Sequence, residues 1–102
     1  IKLYQKLIKQ QEYIISKQLL RSSTSIGANI VEALDAYSKK DFVFKMSLAK
    51  KEARESYYWI MLLDKSSITK TNMEKYINDI QQIIRILTSI VKTTKENLEK
   101  NQ

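Results

Sequence analysis

Gln18 to Glu32, QLLRSSTSIGANIVE, is helical in period but unusually small and polar in composition. Around it, Leu19, Ser23, Ile26, Ile30, Ala33 and Tyr37 recur in steps of four and three, the seam of a packed helix. Ser22, Ser25, Gly27 and Ala28 lie beside the seam and are small enough to admit a neighbouring helix closely. Gly27 is the only glycine in the chain. A glycine inside a helix costs about 1 kcal/mol against alanine, so its presence predicts a packing or bending reason. Gln18, Arg21, Ser22, Ser25, Asn29 and Glu32 also recur at three and four, giving a polar stripe next to the apolar one. Such a stripe must be exposed, sit at an interface, or be satisfied internally. We expect Arg21 and Asn29 to bond carboxylates on the next helix, Glu55 first. The stretch reads as a structural polar network of Gln18, Arg21, Asn29, Glu32 and Glu55 rather than as an active site.

Outward from this stretch, the rest of the chain is helical as well. Ile1, Leu3, Tyr4, Leu7 and Ile8 have helical spacing, with Lys2, Lys6 and Lys9 on the other side. Gln10 to Ile15 is expected to be a connection in which Tyr13, Ile14 and Ile15 plug the bundle end. Ser16 is the expected N-cap of a second helix reaching Tyr37. Ser38-Lys39-Lys40-Asp41 resembles a capping box and opens a third helix to about Lys65. Phe42, Met46, Ala49, Ala53, Tyr57, Ile60 and Leu63 form its seam. Phe44, Leu48, Tyr58, Trp59, Met61 and Leu62 widen it, which predicts contacts beyond its own core. Thr71-Asn72-Met73-Glu74 is a second capping box, starting a fourth helix to about Asn97, with Lys100 to Gln102 expected to fray. Its inward positions run from Met73 through Ile80, Leu87 and Val91 to Leu98, and Ile83, Ile86 and Ile90 make a second stripe. Short connections between four helices predict an all-α fold, a single antiparallel up-down-up-down four-helix bundle over residues 1–102.

Composition agrees with that expectation. The chain has 102 residues, 43% of them hydrophobic, one glycine and no proline. A domain of this size buries roughly two-thirds of its unfolded surface. Hairpin dipeptides are absent, which favours long helices. Without cysteine, disulfides and thiolate chemistry are excluded and a reducing, cytoplasmic setting is favoured. The apolar run Trp59 to Leu63 is far short of the ~20 residues of a membrane span. Without histidine there is no Ser-His-Asp triad, no histidine-bound zinc and no Glu-x-x-His di-iron pair. Glu32, Glu52 and Glu55 are a conceivable all-carboxylate cation site, but bases such as Arg21, Lys45, Lys51 and Arg54 lie nearby and favour ion pairing. The reading is therefore non-enzymatic, with no cofactor and no metal.

The formal net charge is +7, which suggests an acidic partner, nucleic acid being commonest. The basic residues are spread rather than clustered. Lys50, Lys51 and Arg54 lie near one another on the third helix; Arg85, Lys92 and Lys95 share a side of the fourth. These six are the candidate nucleic-acid contacts, and the pattern supports phosphate contact without base reading. The alternative is a protein-interaction scaffold docking through the third or fourth helix.

QLLRSSTSIGANIVEA followed by SKKDFVFKMSLAKKEARESYYWIMLL resembles the bacterial four-helix-bundle proteins encoded in intervening sequences of large-subunit ribosomal RNA genes. It is also similar to the accessory variability determinant proteins of diversity-generating retroelements. The resemblance runs from Leu3 to Lys95. It is most specific at Gln18 and Arg21, at Ala28-Asn29-Ile30 with Glu32, at Asp41-Phe42 and at Lys51-Glu52-Ala53-Arg54-Glu55. Ala33 stands where many relatives place glycine, and the chain looks closer to the intervening-sequence branch. The resemblance implies a homo-oligomer, a barrel-like pentamer with a basic surface, and RNA or DNA as the partner.

Overall fold

A computed structural model describes residues 1–100, in four helices: α1 (Lys2–Lys9), α2 (Ile14–Leu34), α3 (Lys39–Ser66) and α4 (Glu74–Lys100). They form an all-α, antiparallel up-down-up-down bundle. The expected fraying at the C-terminus concerns Asn101 and Gln102, which lie outside the described residues. α3 packs against both α2 and α4, and the short α1 packs against α2. The body measures 52 × 20 × 16 Å.

The seams identified in the sequence bury Leu19, Ile26 and Ala33 on α2, and Met46, Ala49, Ala53, Ile60 and Leu63 on α3. Met73, Ile80, Leu87 and Val91 of α4 close the core, and Leu3 and Leu7 of α1 seal one end. Two small polar residues join the core. Ser22 and Ser56 are fully buried, and their hydroxyl oxygens lie 2.8 Å apart. Ser22 also donates to the Leu19 carbonyl at 3.3 Å, so the pair satisfies itself within the α2–α3 interface.

Helix ends depart from the sequence reading in several places. Ser16 is not the N-cap of α2: it lies inside the first turn, buried, and its hydroxyl donates to the Glu12 carbonyl at 2.8 Å. The Glu12 carboxylate does the capping. Its Oε1 accepts from the backbone N–H of Ile14 and Ile15 at 3.1 and 2.9 Å, and its Oε2 from Ser16 at 2.7 Å. A carboxylate at a helix N-terminus gains charge-assisted bonds and the favourable end of the dipole. Tyr13 and Ile14 do not plug the bundle end; both are exposed, and only Ile15 packs on the core. α2 stops at Leu34, short of Tyr37, whose side chain is fully exposed at 103%. Asp35 sits at the helix C-terminus, where the dipole disfavours a negative charge.

Ser38 caps α3 as expected, accepting from the Asp41 N–H at 3.0 Å. α3 ends with Ser67 in the left-handed conformation at φ 58°. At α4 the capping side chain is Asn72 rather than Thr71: Asn72 Oδ1 accepts from the Glu74 N–H at 2.9 Å. Thr71 instead joins a cluster at the bundle end, centred on Gln10. Gln10 Nε2 donates to Thr71 Oγ1 at 2.7 Å, while its Oε1 accepts from Thr69 Oγ1 at 2.6 Å and from the Lys70 N–H at 3.0 Å. One side chain thus ties the α1–α2 corner to the α3–α4 loop.

Gly27 has no close neighbour. A β-carbon there would meet nothing within 4 Å, and the residue is exposed along with Ala28. The close approach expected from the small residues is made by Ser22, on the α3 side, and not by Gly27.

Candidate nucleic-acid interface

The two sides of α3 carry opposite charge environments. Its carboxylates Glu52 and Glu55 both reach toward α2 and are engaged by Arg21. Arg21 Nη1 donates to Glu52 Oε2 at 3.4 Å, and Nη2 donates to Glu55 Oε2. The Arg21 hydrogen bond holds the Glu55 carboxyl below its ordinary value. Trp59 Nε1 is buried with no hydrogen-bond partner among the described residues. Glu32 pairs with Lys45 at 2.9 Å, which raises the Lys45 pKa. Each carboxylate of the conceivable cation site is therefore held by a base, and no cluster of three metal-ligating side chains occurs among the described residues.

Asn29 does not reach a carboxylate of α3. Its Nδ2 donates to the Ser25 carbonyl one turn back, at 2.9 Å. Serine and asparagine side chains compete readily for their own helix carbonyls. Gln18 is exposed on the same face. The polar network is consequently two ionic links: Arg21 to Glu52 and Glu55, and Glu32 to Lys45.

Glu52 and Glu55 are thus engaged on the α2 side of α3, and none of the residues lining the α3–α4 groove is a carboxylate. Arg54 of α3 and Arg85 of α4 line one groove of 390 Å³, together with Tyr57, Gln81 and Ile84. Antiparallel packing of α3 and α4 sets these two arginines at the same level. Neither makes a salt bridge among the described residues. The Tyr57 hydroxyl also has no hydrogen-bond partner there, and its ring is half-buried against the core.

The other basic candidates extend this groove unequally. Lys50 is half-buried one turn before Arg54, on the same side of α3. Lys92 and Lys95 are exposed on α4, two and three turns beyond Arg85. α4 carries no carboxylate between Asp79 and Glu96, so this stretch of groove is uninterruptedly basic. Lys51 is the outlier. It is exposed on the outer face of α3, in the heptad stripe of Phe44 and Tyr58, rather than in the groove. Tyr57 and Gln81 were absent from the candidate contacts; Tyr57 reads from spacing alone as a core residue, and Gln81 carries no charge to attract notice.

A second groove, of 460 Å³, is apolar and lies between α1, α2 and α4, lined by Leu3, Leu19, Leu20, Ser23, Ile80 and Ile83. Beyond it α2 presents Gly27, Val31 and Leu34 to solvent, and α4 presents Ile86. α1 has eight residues where α2 has 21 and α4 has 27, so this flank is left uncovered. No helix among the described residues is long and apolar enough to cross a membrane.

Antiparallel helices with a basic groove on one side and an apolar groove on another make this an all-α four-helix bundle. The chain belongs to the 23S rRNA-intervening sequence protein family, which it matches over residues 1–89. A solved structure from Bacteroides thetaiotaomicron VPI-5482, described as a protein with unknown function from the S23 ribosomal protein family, is 46% identical. The alignment covers 89% of this chain and 86% of that chain, with a TM-score of 0.80. Comparison with curated proteins gives no match.

Proposed function

We propose that this chain is a non-enzymatic, homo-oligomeric bundle protein that holds nucleic acid, RNA or DNA, by its phosphate backbone. The observation that carries this reading is the convergence of Arg54 and Arg85 on one groove, neither in a salt bridge among the described residues. Desolvating a guanidinium is less costly than desolvating an ammonium, and its fork matches two phosphate oxygens. Lys50, Lys92 and Lys95 lengthen the basic track, and Lys51 contributes only to the general field. The family's name links its members to ribosomal RNA, which favours RNA as the first partner to test. Mobility shifts with structured ribosomal RNA at two salt concentrations test the proposal. Binding at low salt that weakens steeply at higher salt is expected; no binding at low salt overturns it.

The oligomer in this proposal is formed by copies meeting on the apolar flank of α2 and α4. Ser22 to Val31 contains no charged residue in a chain of net charge +7, so like-charged copies approach there with least repulsion. Exposed Val31, Leu34 and Ile86 supply apolar area, and Gly27 removes bulk at the point of contact. The number five comes from the family resemblance. Light scattering on the purified protein measures it, and a monomer at micromolar concentration would count against assembly.

A second reading, a scaffold for another protein, is favoured by one feature. Phe44, Lys51 and Tyr58 recur every seven residues on the outer face of α3, and both aromatics are more than half exposed. Recovery of a partner from the native host that survives nuclease treatment distinguishes this reading from the first.

A further inference from the structure

We infer that the α3–α4 groove takes single-stranded nucleic acid in preference to duplex, clamping a phosphate between Arg54 and Arg85 and stacking a base on Tyr57. The inference rests on the backbone-binding reading above and narrows it. A groove built only for duplex phosphate needs cations and simple hydrogen-bond donors, but no exposed aromatic face. This groove has, between its two arginines, an aromatic ring, an amide and an aliphatic floor: Tyr57, Gln81 and Ile84. Those are the components of a stacking platform. Every base has a π-face, but only an unpaired strand can turn one toward the protein.

The unused bonding capacity points the same way. The Tyr57 hydroxyl and the Gln81 side-chain amide make no hydrogen bond among the described residues, although both residues are half-buried. Both can donate to a phosphate, but the Gln81 side-chain oxygen, an acceptor, finds no donor on one. Beside a stacked base, the Gln81 amide offers a donor and an acceptor to a base edge, and the hydroxyl reaches a sugar or phosphate oxygen. Arg54 and Arg85 are the guanidinium groups lining this groove; Lys50 follows one turn away on α3, and Lys92 and Lys95 follow on α4. Arg85 to Lys95 spans about 15 Å of helix.

Fluorescence anisotropy with a labelled mixed-sequence RNA of about twelve nucleotides, single-stranded and then annealed to its complement, tests this; the length is within known single-strand site sizes. The single strand is expected to bind about tenfold tighter than the duplex at the same salt. Tyr57→Leu is expected to weaken the single strand about tenfold and leave the duplex unchanged, whereas Tyr57→Phe keeps the ring and most of the affinity. Arg54→Gln and Arg85→Gln weaken both probes. Because Tyr57 touches the core, Gln81→Ala is the companion variant: it lies outside the buried set and is expected to weaken the single strand selectively. A duplex bound as tightly as the single strand, or Tyr57→Leu and Gln81→Ala that each change neither probe's affinity selectively, overturns the stacking inference and leaves backbone binding standing. Failure of both probes to bind at low salt overturns the two together.

Discussion

Arg21 shows how one cation organises the surface of the whole bundle. By pairing with Glu52 and Glu55 from α2, it draws these two carboxylates away from the groove lined by Arg54 and Arg85. The Glu55 carboxyl is held below its ordinary value chiefly by the Arg21 hydrogen bond. Its charged form therefore stabilises the fold fully above the unfolded value, about pH 4.3. That contribution is lost as pH falls through the lowered folded value. Acid titrations of melting temperature should show this loss in the native chain and a flatter acid limb in Glu55→Gln. Both side chains are partly solvent-exposed, so screening keeps the effect small and salt weakens it further. Combining Glu55→Gln with Arg21→Leu should cost less than the two single changes summed; strict additivity would show that the two side chains do not act as a pair.

At the scale of the helix, what the sequence made legible was whatever local spacing encodes. The α2, α3 and α4 seams follow from steps of three and four, and Ser38 was readable as a cap because Asp41 stands in the capping-box position. The Glu12 cap was not, because a glutamate preceding Tyr13-Ile14-Ile15 has no recognised spacing signal, while Ser16 offered a familiar one. The end of α2 was overrun because Tyr37 continues the seven-residue step, although Asp35 and the nearby Ser38 cap stop the helix first. From spacing alone Gln10 is a plain connecting residue. Its three bonds to Thr69, Lys70 and Thr71 join segments some sixty positions away, which no local pattern reports. Gln10→Ala should cost about 1 kcal/mol in denaturant unfolding, the net worth of exposed hydrogen bonds. Hydrogen exchange should show the Lys70 amide opening faster than the α3 core; unchanged protection at Lys70 would mean the cluster does not hold the loop.

Over the whole molecule, the bundle has a basic groove between α3 and α4 and, on α2, a flank that is uncharged from Ser22 to Val31. The candidate cations were legible one helix at a time, but the meeting of Arg54 with Arg85 depends on the register of antiparallel packing, which the sequence pattern leaves open. Gly27 tests the uncharged flank. With nothing within 4 Å, alanine there should raise the stability of dilute protein by up to about 1 kcal/mol through helix propensity. If copies meet at this face, the same change should lower the assembly's mass in light scattering at a given concentration. An unchanged mass would place the contact elsewhere. The basic flank is tested most directly by the salt dependence of RNA affinity, measured for the native chain and for Arg54→Gln/Arg85→Gln. Each phosphate contact on a single strand contributes about 0.7 to the slope of log affinity against log salt. Weaker binding and a slope shallower by about 0.7, for the one phosphate clamped between the two arginines, are expected in the double variant; the same affinity and the same slope in both proteins would contradict the phosphate clamp.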